Sequence, residues 1–151
     1  MIRHLLATLD TAGIDQVCVV VGPDMESVSK AAAPHKSVIQ KDRLGTAHAA
    51  LCAKDAFPDG IDDVLILNGD NPLIPAQAIT DILSKRQSPD NPAVSVLGFR
   101  TSAPGAYGRM LTDANGKLLG IVEAKDATPE QLAVTLCSSG VMALDGACAF
   151  D

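Results

Sequence analysis

Asp63-Val64-Leu65-Ile66-Leu67-Asn68-Gly69-Asp70-Asn71-Pro72 is the stretch on which the fold turns. Its apolar run is short and continuous, and it stops at a cluster of turn residues. That pattern reads as a strand over Asp63 to Leu67 buried on both faces, as in a parallel sheet. In open sheets of this kind ligands bind beyond the carboxyl ends of the strands, so Asn68, Gly69 and Asp70 stand where a site would form.

Working outward, the signature recurs at Gln16 to Val21, which ends in Gly22-Pro23, and shorter strands are predicted at Ser37 to Gln40 and Ala93 to Phe99. Helices fall between them. Ile2, Leu5, Leu6 and Leu9 keep the i, i+3, i+4, i+7 spacing of a one-sided helix, with Gly13 as its stop. Asp24 to Ala33 reads as a helix with Asp24 as N-cap, Thr46 to Asp55 as an Ala-rich helix, and Pro75 to Lys85 as a helix with proline in its first turn. After a turn-rich segment from Gln87 to Pro92 the pattern changes to short strands, Gly108 to Thr112, Leu118 to Glu123 and Ala133 to Leu144, with antiparallel or mixed pairing. The expected architecture is an α/β three-layer sandwich with a mixed, mostly parallel sheet, in one domain over residues 1–151 without repeat or linker.

Composition bounds the function. With 47 % hydrophobic and 20 % charged residues the 151-residue chain is a core-forming sequence, long enough to bury roughly two thirds of its unfolded surface. The formal net charge of -6, with no Lys/Arg stripe, argues against nucleic acid as a partner. No apolar run approaches the roughly 20 residues that cross a bilayer, and polar Thr8, Asp10 and Thr11 break the N-terminal run, so a cytoplasmic protein is expected. Cys18, Cys52, Cys137 and Cys148 lie far apart without zinc-ligand spacing and are expected as buried, reduced thiols.

Four clusters carry candidate chemistry. In Gln40-Lys41-Asp42-Arg43-Leu44-Gly45-Thr46-Ala47-His48 a Gly-Thr step opens a helix, whose first amides are free for an anion; the pair also reads as a plain helix cap, and His48 as a helix-face residue. Asp70 at a strand exit can hold Mg²⁺, which needs one or two carboxylates plus phosphate oxygens; it also reads as a turn residue. In Ala106-Tyr107-Gly108-Arg109-Met110 the glycine permits close approach of a ligand, to which Tyr107 and Arg109 offer donors. In Gly120-Ile121-Val122-Glu123-Ala124-Lys125-Asp126-Ala127-Thr128, Glu123 can accept from sugar hydroxyls and Lys125 can meet a phosphate; the alternative is a solvated Glu-Lys pair.

In order and spacing, QKDRLGTAHA, LILNGDNPLI, AYGRM, GIVEAKDAT and CSSGVM resemble the pyrophosphorylase domain of the bifunctional GlmU family, over essentially the whole chain. The resemblance implies a Rossmann-like nucleotide-diphospho-sugar transferase fold. It implies a uridylyltransferase that joins N-acetylglucosamine 1-phosphate to UTP with Mg²⁺, releasing pyrophosphate, for peptidoglycan and lipopolysaccharide precursors. It places Gln40, Gly45 and Thr46 at uracil, Asn68, Gly69 and Asp70 near the ribose and metal, with Asp70 as magnesium ligand, and Gly108 and Glu123 at the sugar. Ser138 stands where the family has a sugar-binding Asn. Relative to that family the chain starts after the first strand and its Gly-rich GxGTRM loop, and stops before a downstream Asn of the magnesium site and the acetyltransferase β-helix. The resemblance therefore implies a domain truncated at both ends and little activity in isolation, and self-association through an uncovered sheet edge is expected of a non-catalytic domain that has lost its phosphate loop. Two alternatives stand beside it: a related nucleotidylyltransferase for another sugar phosphate or for CTP, and a non-catalytic nucleotide-sugar-binding remnant.

Overall fold

A computed structural model describes residues 1–57 and 60–150, which form two compact units, 1–95 with 143–151 and 96–142. The first unit begins with α1 (Ile2–Thr11), whose Leu5, Leu6 and Leu9 are buried as the spacing requires, each worth about 1.5–3 kcal/mol of transfer free energy. The helix stops where glycine makes stopping cheap. Gly13 takes φ 78°, its N–H donates to Asp10 O at 3.1 Å, and the Ile14 N–H donates to Leu9 O at 3.0 Å, the paired closure of a Schellman motif.

Then follow β1 (Cys18–Val21), α2 (Glu26–Ala32), β2 (Lys36–Ile39), α3 (Thr46–Cys52) with a 3-10 turn at Lys54–Ala56, β3 (Asp63–Ile66) and α4 (Ala76–Arg86). β1 and β2 make a parallel two-stranded ladder, Cys18 opposite Lys36 and Val21 opposite Ile39. Leu6, Leu9, Ala32 and Ile79 form the buried core, against which Val19 and Leu65 pack. β3 is only half-buried along its length, although its sequence is among the most apolar of the chain.

Asp24 does not cap α2. Met25 occupies the N-cap and Asp24 lies one residue earlier at φ 61°, a turn conformation that aspartate tolerates better than most side chains. At the end of α4, Arg86 is buried at 6 % exposure. Its Nε donates to Asp63 Oδ1 at 2.6 Å and its Nη2 lies 3.4 Å from Asp145 Oδ2.

The second unit is built on antiparallel pairing. β4 (Val94–Arg100) and β7 (Leu136–Asp145) enter it from the first, and β5 (Arg109–Thr112) and β6 (Leu118–Val122) lie within it; the sheet order is β3-β7-β5-β6, with β4 also on β7. Parallel and antiparallel pairs therefore coexist, as the change of pattern after Phe99 predicts. The strand expected from Ala133 begins instead at Leu136, because a helical turn, α5 (Pro129–Leu132), precedes it. Its signal was in the sequence: Thr128-Pro129-Glu130-Gln131 is a capping box with proline at the first helical position.

The cysteines are free, but their burial differs from the expectation: Cys137 is buried, Cys18 and Cys52 are intermediate and Cys148 is exposed. Burial raises the Cys18 thiol above its ordinary range, opposed by the weaker attraction of Lys36. A raised folded-state pKa favours the protonated thiol, so this contribution to stability is present at neutral pH and is lost as pH rises through that pKa. Iodoacetamide at pH 8 should accordingly alkylate Cys148 at least about tenfold faster than Cys18 or Cys137, as read by peptide mass mapping. Equal rates would contradict these burials.

Candidate functional site

The first unit contains a cavity of about 950 Å³ bordered by β1, β3, α1 and α3. At the carboxyl ends of the two strands its wall carries Gln40, Gly45, Thr46, Asn68 and Gly69, so five of the residues singled out from sequence meet at one cavity. Local structure explains how they are held. Gly45, at φ 98°, is the N-cap of α3, a backbone shape that glycine adopts without strain. The Gln40 amide Nε2 donates to Gly45 O at 3.1 Å and lies 3.0 Å from His48 Nδ1. His48 thus serves from the helix face to position Gln40, and the amide nitrogen is committed, leaving the Gln40 carbonyl oxygen as the acceptor available to a ligand.

Arg43 and Gly22 also lie on the wall and were not among the candidates. Arg43 supplies the cationic side chain among the described wall residues, and its Nη2 lies 3.0 Å from where a Cβ on Gly22 would stand. Glycine at the end of β1 thereby makes room for a guanidinium at the mouth of the cavity. Gly22-Pro23 had read only as a strand terminator, because its use depends on a residue from another segment.

Asp70 is exposed in the turn after β3 and is not on the cavity wall. Among the described residues no group of three or more His, Cys, Asp or Glu side chains gathers in a form that would hold a metal. A lone exposed carboxylate fits Mg²⁺ whose remaining positions come from phosphate oxygens and water, and does not fit a preformed protein cage.

The second unit assembles the other three candidates. Arg109 on β5 pairs with Val122 on β6 and with Cys137 on β7, so the preceding Gly108 falls between Glu123 and Ser138. The Ser138 N–H donates to Gly108 O at 2.9 Å, and a Cβ on Gly108 would lie 3.4 Å from Glu123 Oε1 and 3.0 Å from Ile121 Cγ2. Glycine here leaves the Glu123 carboxylate open over bare backbone. Ser138 Oγ accepts the Gly140 N–H at 3.2 Å, so its hydroxyl is engaged in its own strand.

Arg109 does not offer donors to a ligand as expected. It is buried at 3 % exposure, and its Nη1 donates to Gly105 O at 3.0 Å and to Tyr107 O, clamping the loop that carries Gly108. Tyr107 is exposed, with its ring edge-on to Phe99 at 4.8 Å between centroids. Lys125 is exposed on a 3-10 turn at Ala124–Asp126 and makes no ion pair with Glu123.

Comparison with known proteins identifies the family and the fold. The chain is 52 % identical over 97 % of its length to the bifunctional protein GlmU of Paramagnetospirillum magneticum, and 48 % identical over 97 % to that of Rhodospirillum rubrum, spanning 32 % of each relative. It therefore covers about a third of the curated relatives it matches. Among solved structures it superposes on a CMP:2-keto-3-deoxy-manno-octonic acid synthetase complexed with CTP, with TM-score 0.72 and 18 % identity, covering 98 % of this chain and 64 % of that one. It also superposes on apo UDP-glucose pyrophosphorylase, with TM-score 0.73 and 14 % identity, covering 97 % and 65 %. At those identities the likeness establishes the fold, which is that of nucleotide-sugar transferases. A family profile of MobA-like NTP transferase domains matches residues 1–134, and the chain belongs to that nucleotidyltransferase family.

Proposed function

We propose that this chain carries nucleotide- and sugar-binding elements of a uridylyltransferase that joins UTP and N-acetylglucosamine 1-phosphate, with release of pyrophosphate, in envelope precursor synthesis. The observation that carries the reading is the meeting of Gln40, Gly45, Thr46, Asn68 and Gly69 at one cavity, in a chain 52 % identical to a GlmU. With its amide nitrogen held by Gly45 and His48, Gln40 presents a carbonyl oxygen. Uracil has an N3–H donor to meet it, whereas cytosine has an acceptor there, so the base preference follows from one hydrogen bond. Arg43 at the mouth attracts the triphosphate. The open Glu123 carboxylate beside Gly108 accepts from sugar hydroxyls.

Mg²⁺, when bound, neutralises charge developing on the phosphates, and Asp70 is the side chain of this chain that would hold it. The rest of the work is positioning, since phosphoryl-type transfer asks little covalent chemistry of the protein. Residues 1–151 are read as part of a single pyrophosphorylase domain, and the substrates are small cytoplasmic metabolites, so cytoplasmic placement belongs to the same proposal.

The test uses the Paramagnetospirillum magneticum relative with its matched region replaced by this chain. Pyrophosphate release from UTP and N-acetylglucosamine 1-phosphate is expected. Asp70→Asn should lower the rate by about 100-fold or more, and Gln40→Ala should reduce the preference for UTP over CTP by about tenfold. A folded but inactive chimera would establish a non-catalytic remnant. Preference for CTP or for another sugar phosphate would replace the assigned substrates.

A further inference from the structure

Gln40 and His48 constrain one another in a way that fixes where a proton sits. The nitrogen and oxygen of a side-chain amide exchange places when the group turns over, so its orientation is decided by its neighbours. Here one neighbour is a carbonyl. Gly45 O can only accept, so the Gln40 atom 3.1 Å from it is the NH2 nitrogen, and His48 Nδ1, 3.0 Å from that same nitrogen, must accept as well. His48 Nδ1 is therefore bare, and the ring is neutral with its proton on Nε2. Gln40 lies on the cavity wall and His48 does not, so the ring acts on the cavity only through the amide.

A proton on Nδ1 is incompatible with this arrangement, because two donors would then face each other. Turning the amide over brings Gln40 Oε1 to the new N–H but sets that oxygen against Gly45 O. The two neighbours then favour opposite orientations, so protonation loosens the amide and does not simply invert it. The hydrogen bond at stake corresponds to about a threefold to tenfold effect on binding. α3 packs against β1 and the 3-10 turn at Lys54–Ala56. The titratable groups on those segments are Cys18, Lys54 and Asp55. α3 itself carries Cys52, the loop before it Lys41, Asp42 and Arg43, and β2 carries Lys36, whose ammonium donates to Ala56 O at 2.7 Å. Among the described residues none of these groups is hydrogen-bonded or ion-paired to the ring, so His48 is the group whose proton the amide reads.

We propose that His48 sets the base preference of the cavity through its protonation state. The neutral ring holds the Gln40 carbonyl oxygen toward a base with an N3–H, and the protonated ring lets the amide turn and admits a base with a bare N3. The inference rests on the reading that Gln40 meets the base. His48 is a positioning residue, and by reciprocal linkage UTP binding and protonation of its ring oppose each other. Histidine is the side chain that changes charge around neutral pH, so discrimination between UTP and CTP becomes pH-dependent.

Dissociation constants of UTP and CTP test it, measured by calorimetry at about pH 8 and about pH 6 on the Paramagnetospirillum magneticum relative carrying this chain in its matched region. Their ratio cancels the titration of the triphosphate, which the two nucleotides share. The preference for UTP should fall at least about threefold at the lower pH. In His48→Leu the amide keeps only Gly45, so the preference should be about threefold below the pH 8 value and flat with pH. His48→Asn should keep the full preference at both pH values, because Asn Oδ1 stands as many bonds from the backbone as Nδ1, accepts, and does not titrate. A merely structural ring would not make this ratio pH-dependent. A flat ratio in the unsubstituted protein, pH dependence that persists in either variant, or a preference in His48→Asn no higher than in His48→Leu would overturn the proposal. With Gln40→Ala still lowering the preference, such a result would leave the uridine reading standing. An unchanged preference in Gln40→Ala, or binding of neither nucleotide, would overturn that reading and this inference together.

Discussion

Replacing Arg86 with alanine is expected to lower the unfolding free energy by about 3–5 kcal/mol, as for other buried ion pairs that lose one partner. The guanidinium is nearly out of solvent, with 8 % of its side chain exposed, and the Asp63 side chain it meets is 10 % exposed. Besides the Asp63 contact, Arg86 Nη1 donates to Asn91 Oδ1 at 2.6 Å and to Pro92 O at 3.3 Å. Gln87 Nε2 donates to Asp63 Oδ2 at 2.6 Å, so the carboxylate is held on both oxygens. Truncation leaves Asp63 buried with only an amide partner, strands the Asn91 and Pro92 acceptors, and frees the end of α4 from the start of β3. Since domains of this kind have only about 5–15 kcal/mol to lose, the variant should unfold at a much lower urea concentration. The double variant Arg86→Met with Asp63→Leu should recover part of the loss, because it removes the buried Asp63 charge and leaves only the more exposed Asp145 without its cation. A drop below about 1 kcal/mol for Arg86→Ala would mean that the network contributes nothing beyond packing.

The second large effect is expected at Gly146. A Cβ there would stand 1.8 Å from Ile61 O and 2.9 Å from Asp62 O, and the Gly146 N–H donates to Asp62 O at 2.8 Å. These are backbone atoms, so no flexible side chain can yield. Gly146→Ala must push the end of β7 away from the segment before β3 and weaken that hydrogen bond, at a cost of about 3 kcal/mol, the upper range for overpacking. Gly120→Ala is the matched control: nothing lies within 4 Å of its Cβ position and it should change stability by less than about 0.5 kcal/mol. Urea unfolding of the two variants distinguishes a steric requirement from the ordinary effect of replacing glycine; equal midpoints would refute the close approach at Gly146.

Both predictions concern residues that carry no mark in the sequence. Arg86 lies one residue past the helix expected over Pro75 to Lys85, although it falls in the last turn of α4, where it complements the helix dipole, and Gly146 lies beyond the strand expected to Leu144. Their importance comes from Asp63, Asp145 and Ile61, which are brought to them from elsewhere in the chain. The same holds at the candidate site. Gln40, Gly45, Asn68 and Gly69 could be singled out by position after strands, and Gly108 and Glu123 by their motifs. That Gly108 lies between Glu123 and Ser138 follows from a two-sided antiparallel register around Arg109. The burial of Arg109, which turns its donors inward, could not be read from a surface-like Tyr-Gly-Arg triplet.

What the sequence by itself determined is local: where helices and strands begin and end to within a few residues, the Schellman stop at Gly13, the capping box at Thr128, and the residue types set at strand exits. These depend on backbone sterics, periodicity and capping, which act over three to five neighbours. What only the tertiary structure decided is which edges and charges are satisfied. β1 and β3 have nearly the apolar sequence of fully buried strands, yet among the described residues each pairs on one side only and both border the same cavity, because pairing is a property of two segments and burial a property of many.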